Sequence, residues 1–425
     1  MGFSWEEKPI GEIADVVGGG TPDTSNPEFW EGNIPWITPK DLSAHQEKYI
    51  SRGERNITSA GLQRSSARLL PINTVLLSSR APIGYVAIAK NPVTTNQGFK
   101  SLVFKEGYVP EFYYYFLKAN VDLLERHANG STFKEISGSI VKNIKVPVPP
   151  LPEQKAIAHI LGTLDDKIEL NQQMNRNLEA IAQAIFKSWF TDFDPVRAKM
   201  EGRQPVNMDA ATAALFPDSF EDSPLGEIPK GWRMGEFGEI AHIVMGQSPP
   251  GETYNELGDG LPFYQGVRDF GFRFPTRRVY CNAPKRYAEK ADVLFSVRAP
   301  VGNLNIAVER CTIGRGLAAL RLKANHGSFL YYFLKATQSQ WEKFEAEGTV
   351  FGSVCKDDIY CFKLIVPVAG IIEKFNYLAH SIDAQIESNE QESLTLADIR
   401  DTLLPKLMSG EIRVKEAENI LEDVA

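Results

Sequence analysis

The sequence predicts a mixed α/β (α+β) protein in which one design, a globular domain followed by a long helix, is written twice with pseudo-two-fold symmetry. Three observations predict it. Short motifs return in the second half of the chain: Arg80-Ala81-Pro82-Ile83-Gly84 as Arg298-Ala299-Pro300-Val301-Gly302, Phe112-Tyr113-Tyr114-Tyr115-Phe116 as Phe329-Leu330-Tyr331-Tyr332-Phe333, and Gly11-Glu12-Ile13-Ala14 as Gly238-Glu239-Ile240-Ala241. Each copy closes on a long stretch with a helical apolar period. Each copy opens with short β-branched or aromatic runs bounded by Gly and Pro, the mark of strands. Two copies are too few for a solenoid, whose short units bury a core only by stacking in larger numbers.

Residues 1–152 form the first domain. Thr74-Val75-Leu76-Leu77, Tyr85 to Ala89 and Ser101 to Phe104 read as strands, and Glu111 to Arg126 as a helix with Phe112, Tyr115, Phe116 and Ala119 on one face. Gly18-Gly19-Gly20 reads as a flexible turn. The extended Ile144-Lys145-Val146-Pro147-Val148-Pro149 ends the domain. The central helix follows at 153–190: Pro152 suits its first turn, having no N–H to leave unpartnered, and Glu153 faces the positive end of the dipole. At 1.5 Å per residue it would be roughly 55–60 Å long. Residues 191–226, rich in Pro, Gly and Asp, read as a linker. The second domain occupies 227–370, its helix 371–409, and an acidic, loosely held tail 410–425.

The first helix presents Leu164, Ile168, Asn171, Asn175, Leu178, Ala182, Ile185 and Trp189 at steps of four and three. The second presents Ile382, Ile386, Asn389, Ser393, Leu396, Arg400, Leu403 and Leu407. This is a coiled-coil seam with polar interruptions, and Asn171 and Asn389 take the same place in each copy, where a buried Asn specifies register. Gly162 costs about 1 kcal/mol relative to Ala in a helix; it permits either the close approach of another segment or a bend. Pro405 removes a helical hydrogen bond, so the second helix is expected to kink or end near it, with Ser409-Gly410 as the stop.

The net charge is −8, yet basic residues cluster. Ten basic and three acidic side chains lie between Lys40 and Lys105, and twelve and four between Leu261 and Lys323. Such clustering, not the whole-chain charge, is the footprint of phosphate binding. No run is long and apolar enough to span a bilayer, and Met1 to Pro9 lacks the apolar core of a signal peptide. Cys281, Cys311, Cys355 and Cys361 form no CxxC pair and read as free, mostly buried thiols of a reducing cytoplasm. A methyltransferase acting on amino groups of DNA bases needs an Asn/Asp-Pro-Pro-aromatic tetrapeptide and a Gly-rich cofactor loop. The Pro-Pro pairs here, Val148-Pro149-Pro150-Leu151 and Ser248-Pro249-Pro250-Gly251, do not fit. There is no GxxxxGK[ST] phosphate loop, no metal-ligand spacing among the histidines and no marked nucleophile. Pro22-Asp23 with Glu153-Gln154-Lys155 makes a poor nuclease pattern, because the second group is already explained as a helix start. The chain reads as a non-catalytic reader or scaffold, without metal or cofactor of its own.

With the order domain, helix, domain, helix, the motifs Gly19-Gly20-Thr21-Pro22, Ile34-Pro35-Trp36-Ile37, Thr95-Asn96-Gln97-Gly98-Phe99-Lys100, Leu151-Pro152-Glu153-Gln154-Lys155 and Leu403-Leu404-Pro405-Lys406-Leu407-Met408-Ser409-Gly410 carry a resemblance. The chain resembles the specificity subunit of type I restriction–modification enzymes over nearly its whole length. The resemblance implies two target recognition domains, each reading half of a split double-stranded DNA sequence, joined by two helices paired antiparallel as a ruler. It implies two docked methyltransferase subunits that carry S-adenosylmethionine, and motor-nuclease restriction subunits beyond them.

The repeat sorts the candidate DNA contacts. Arg80 and Arg298, shared by both copies, suit a phosphate contact or the turn itself. Phe133 and Phe351 are also shared and read as core. Unshared basic and amide residues suit base reading, Arg at guanine and Gln at adenine. These are Lys40, Arg64, Arg68, Gln97 and Lys134 in the first domain, and Gln265, Arg268, Arg273, Arg277, Arg278 and Arg315 in the second.

Overall fold

The computed structural model describes residues 5–43, 45, 47–128, 134–341, 343–346 and 352–422; Phe133 and Phe351 lie outside them. The chain divides into two compact units, residues 1–171 with 391–425, and residues 172–390. Both units take half of each long helix. The division therefore falls within the helices and not at the domain ends, because each helix half packs its apolar face on a domain.

In the first unit a five-stranded sheet has the spatial order Ala14–Gly18, Lys100–Phe104, Val75–Ser79, Ile83–Ala89, Tyr49–Ile50. A three-stranded sheet orders Arg55–Ile57, Trp30–Ile37 and Thr94–Thr95. The strand Glu6–Pro9 pairs antiparallel with Lys145–Val148, bringing the domain's start to its end. The second unit repeats these pairings. Ala241 to Met245 lies antiparallel to Leu322 to Ala318, as Ala14 to Gly18 lies on Phe104 to Lys100. Phe263-Tyr264 lies parallel to Thr312-Ile313, as Trp36-Ile37 does to Thr94-Thr95. Arg233–Glu236 closes on Lys363–Val366. The predicted helix 111–126 is two helices, Pro110–Ala119 and Val121–Arg126, interrupted at the non-helical Asn120. Phe112 to Leu117 are all buried, so this aromatic run is core.

The long helices span Leu151–Phe190 and Ala369–Ser409. In the first unit Ile157, Leu161 and Leu164 join Leu403, Leu407 and Met408 against Phe112, Tyr115 and Val146. The helix segments run antiparallel there: Asp165 meets Arg400, and Asn171 donates to Glu392 at 2.8 Å. In the second unit Asn389 donates to Asn175 at 2.8 Å, and Phe186 meets Phe375. Asn171 and Asn389 are 1% and 4% exposed, so the seam buries both amides. Leu164, Ile386 and Leu403 are buried, while Ile168, Leu178, Ile185, Ile382 and Leu396 are half-buried. Toward the end of the first helix Ala182 and Trp189 are buried as expected, while Glu179 and Phe186 are buried in place of Leu178 and Ile185. Pro405 does not end the second helix, which continues to Ser409 and stops at Gly410 with φ +71°.

Three expectations are corrected by packing. Residues 191–226 are no linker: they hold the helices Asp194–Met200 and Ala210–Leu215 and the hairpin Phe220–Ser223/Gly226–Pro229, with Phe193, Val196 and Phe216 in the second unit's core. The tail forms the helix Val414–Glu422 and buries Ala417, and Ile412, Val414 and Leu421 pack on the first unit. Apolar spacing inside polar text explains both. The glycine run is not loose: a Cβ on Gly19 would fall 2.1 Å from the Asn96 carbonyl, and one on Gly20 2.2 Å from the Ser66 hydroxyl. Cys281 and Cys311 are buried and Cys355 and Cys361 exposed; all four are free thiols. Among the described residues no helix is long and apolar enough to cross a membrane.

Candidate nucleic-acid interface

Each unit brings three loops together by the same hydrogen bonds. In the first unit the Gly20 N–H donates to the Thr95 carbonyl at 2.9 Å and the Asn96 N–H to the Ile37 carbonyl at 3.0 Å. In the second, the Gln247 N–H donates to the Ile313 carbonyl at 3.0 Å and the Gly314 N–H to the Tyr264 carbonyl at 2.8 Å. The glycines make the crossing possible. A Cβ on Gly246 would lie 2.1 Å from the Gly314 carbonyl, which matches Gly19 against Asn96 in the first unit. Backbones this close admit only hydrogen as a side chain.

The side chains on this frame differ between the units: Gly20 of the first matches Gln247 of the second, and Asn96 matches Gly314. Gln97 and Arg315 occupy the same place in the third loop, and both are exposed. The Thr21 hydroxyl donates to the Gln97 Oε1, and the Arg315 N–H donates to the Ser248 hydroxyl at 3.3 Å. A conserved backbone frame thus carries an amide in one unit and a guanidinium in the other. The two groups suit different base edges.

The remaining candidates are scattered around these loops. Lys40, in the short helix Pro39–Ser43, is exposed and paired to Glu54 at 3.0 Å, an interaction worth little in water. Arg64 and Arg68 are exposed after the helix Ser59–Gln63. Lys134 is exposed near Asp122, Glu125 and Arg126. Arg80 is half-buried and bridges to Glu135 at 3.6 Å, whereas Arg298 is exposed. Gln265 is exposed and its carbonyl accepts the Gly316 N–H at 3.1 Å, and Arg268 is exposed in the turn Val267–Asp269. Arg277 is committed to Glu309, and Arg278 to Asp269 at 2.8 Å.

Arg273 must be withdrawn as a DNA contact. It is 0% exposed. Its guanidinium binds Asp383 at 2.7 Å and the Tyr332 hydroxyl at 3.2 Å, lies 3.5 Å from Glu179, and stacks 4.0 Å over Tyr331. A charge so enclosed by helix carboxylates cannot reach a phosphate. Sequence reasoning also missed Lys48, whose buried ammonium meets Asp166 at 2.8 Å. A Cβ on Gly162 would lie 3.2 Å from that ammonium, so Gly162 serves close approach. The signal for Lys48 was this glycine, opposite an acidic pair on the helix.

Beside Arg273 sits Glu390, which accepts the Arg273 N–H at 3.1 Å. Burial pushes its carboxyl from 4.5 up to about 7, while the Arg273 N–H and charge and the Phe274 N–H draw it down. A raised acid favours the folded state only while protonated. Its contribution is full below about pH 4.5 and is lost as the pH rises through about 7, a fall on the order of 3 kcal/mol. Glu390→Gln should therefore stabilise the protein at pH 8 and change little at pH 4.5, as read by urea unfolding at both pH values. Equal effects at the two would refute this.

Among the described residues no group of three His, Cys, Asp or Glu side chains could hold a metal ion. The sequence model of the type I restriction modification DNA specificity domain matches residues 4–180 and again 229–396. The chain is 35% identical over 426 residues to the type I restriction enzyme MjaIX specificity subunit of Methanocaldococcus jannaschii, covering 97% of this chain and 94% of that one. It is 26% identical to the HindI specificity subunit of Haemophilus influenzae, over 96% and 99% of the two chains. The crystal structure of the type I restriction-modification S subunit from M. genitalium superposes with a TM-score of 0.60 at 20% identity, over 95% and 96% of the chains. That likeness concerns the fold alone.

Proposed function

The chain belongs to the type I restriction modification DNA specificity family, and from that premise we propose that each unit reads one half of a bipartite double-stranded DNA target. The observation that carries the reading is the three-loop frame, built twice from the same backbone bonds beside Gly19 and Gly246 and carrying exposed Gln97 in one unit and Arg315 in the other. In this reading the frame holds the readers, and their side chains differ because the half-sites differ. Exposed Arg64, Arg68, Arg268 and Arg298 supply sequence-independent attraction to phosphate, which weakens as salt rises. The target recognition domains are the proposed segments 1–152 and 227–370, and the paired helices set the spacer between half-sites, because duplex DNA has fixed rise and twist.

The chain itself catalyses nothing in this reading. Two methyltransferase subunits holding S-adenosylmethionine dock on it and methylate adenine N6, and motor-nuclease subunits complete the restriction enzyme in the cytoplasm. Leu170, Met174 and Ile181 on the first helix, and Tyr377 and Leu394 on the second, are large apolar side chains open to solvent; they suit such docking.

The test is co-expression with the cognate methyltransferase subunit and base-resolution mapping of methyladenine. One split, asymmetric motif is expected, and methylation without a split motif overturns the reading. In the same assay Arg315→Ala should relax preference at one base of one half-site, and Gln97→Ala at one base of the other. Each loss should be about 1–3 kcal/mol of discrimination. Loss spread evenly over both halves would remove these two residues as readers.

A further inference from the structure

We propose that Arg273 and Lys48 are positioning residues: each anchors the segment after its domain's reader strand to a carboxylate of a long helix, so that domain and helix turn as one body. This deepens the reading above and rests on it. Arg273 lies nine residues after Tyr264, and Lys48 eleven after Ile37, the matching strand ends in the two repeats. Both cations point inward, onto Asp383 and Asp166 respectively, at 2.7 and 2.8 Å. Their side chains are 0% and 5% exposed.

The loop of Arg273 is tied at more than its side chain. Its N–H donates to Glu390, and its carbonyl accepts the Ile306 N–H at 2.9 Å. The Asn305 amide brackets Gly271, accepting its N–H at 3.3 Å and donating to its carbonyl at 3.1 Å. Arg268 and Arg277 are exposed on either side of this fixed point in the chain, and Arg278 is half-buried against Asp269. An apolar plug would fill the space as well but leave the angle free. A buried cation held by Asp383, Glu179 and Tyr332 fixes direction, because its partners grip it from three groups at once. A buried ion pair is weak as a source of net stability. Its use here is orientation, which sets the rotational phase at which a reader on this body meets the groove.

The test uses the full chain with its methyltransferase subunits. Arg273→Met combined with Asp383→Asn removes the cation and its nearest carboxylate together, and the remaining Glu179 keeps Lys335 at 3.8 Å. Arg273→Lys keeps the charge. Amide exchange across 266–280 without DNA should speed up by about tenfold in the double variant and much less in Arg273→Lys. Preference for the cognate spacer over spacers one base pair shorter or longer should fall by about tenfold, with base preference within each half-site unchanged. Unchanged exchange in a double variant that melts normally overturns the proposal, as does undiminished spacer preference. If the unmodified complex shows no spacer preference, the reading of function fails instead, and the exchange measurement decides the anchor alone. If the double variant does not fold, Arg273→Lys decides: wild-type exchange and spacer preference support a charged anchor, and full loss of both overturns it.

Discussion

Phe375→Ala is expected to destabilise the second unit by about 3–5 kcal/mol, the range for deleting a large aromatic from a packed core. Phe375 is 1% exposed. Its ring lies 5.4 Å from Phe186 and Phe190, 6.0 Å from Tyr332, 6.1 Å from Trp189 and 6.3 Å from Phe329. These rings come from both long helices and from the domain's aromatic helix, so one truncation opens the junction of all three. Edge-to-face geometry at most of these contacts adds to the area term. The check is urea unfolding followed by the fluorescence of Trp189 and Trp232, both in this cluster. A shift in midpoint corresponding to less than about 1 kcal/mol would mean that the neighbours collapse into the space, against the packing described.

Asp165→Ala should cost the first unit about 3 kcal/mol, as expected when one member of a buried pair is removed. Asp165 accepts from the Arg400 guanidinium and from the Tyr115 hydroxyl, each at 2.7 Å. Its side chain is 12% exposed and that of Arg400 17%. Without the carboxylate, Arg400 keeps only the solvent-facing Asp401, and the Tyr115 hydroxyl loses its acceptor. Burial, reinforced by Asp165, pushes the Tyr115 hydroxyl well above its ordinary range, so it remains the donor. Asp165→Leu with Arg400→Met should recover most of the lost stability, because it strands no charge. Thermal unfolding of the single and double variants measures the coupling. A double variant as unstable as the single would show that packing, not charge, governs this site.

The two sites are one motif in two versions. Tyr332 donates to Asp383 at 2.8 Å as Tyr115 does to Asp165. The repeat of Phe112 to Phe116 at Phe329 to Phe333 announced this likeness, and the seam of Asn171 and Asn389 announced the helix pairing. The cation could not be read in the same way. In the first unit Arg400 of the second helix meets Asp165, and in the second Arg273 of a domain loop meets Asp383. Among the arginines at 268, 273, 277 and 278, nothing in the local text says which one turns inward. The partner of Arg273 is 110 residues away. Likewise the basic clusters were legible along the chain, but the equivalence of Gln97 and Arg315 emerged only from matching hydrogen bonds in the two sheets.

Periodicity, repetition and the missing catalytic motifs are properties of neighbouring residues, and the chain alone determined them: two copies, two seamed helices and no catalytic motif. The direction of each charged side chain, the packing of residues 191–226 and of the tail, and the inward turn of Arg273 and Lys48 were decided by tertiary structure. Desolvating a charge is costly unless a distant partner is present, and only the folded chain brings that partner into place.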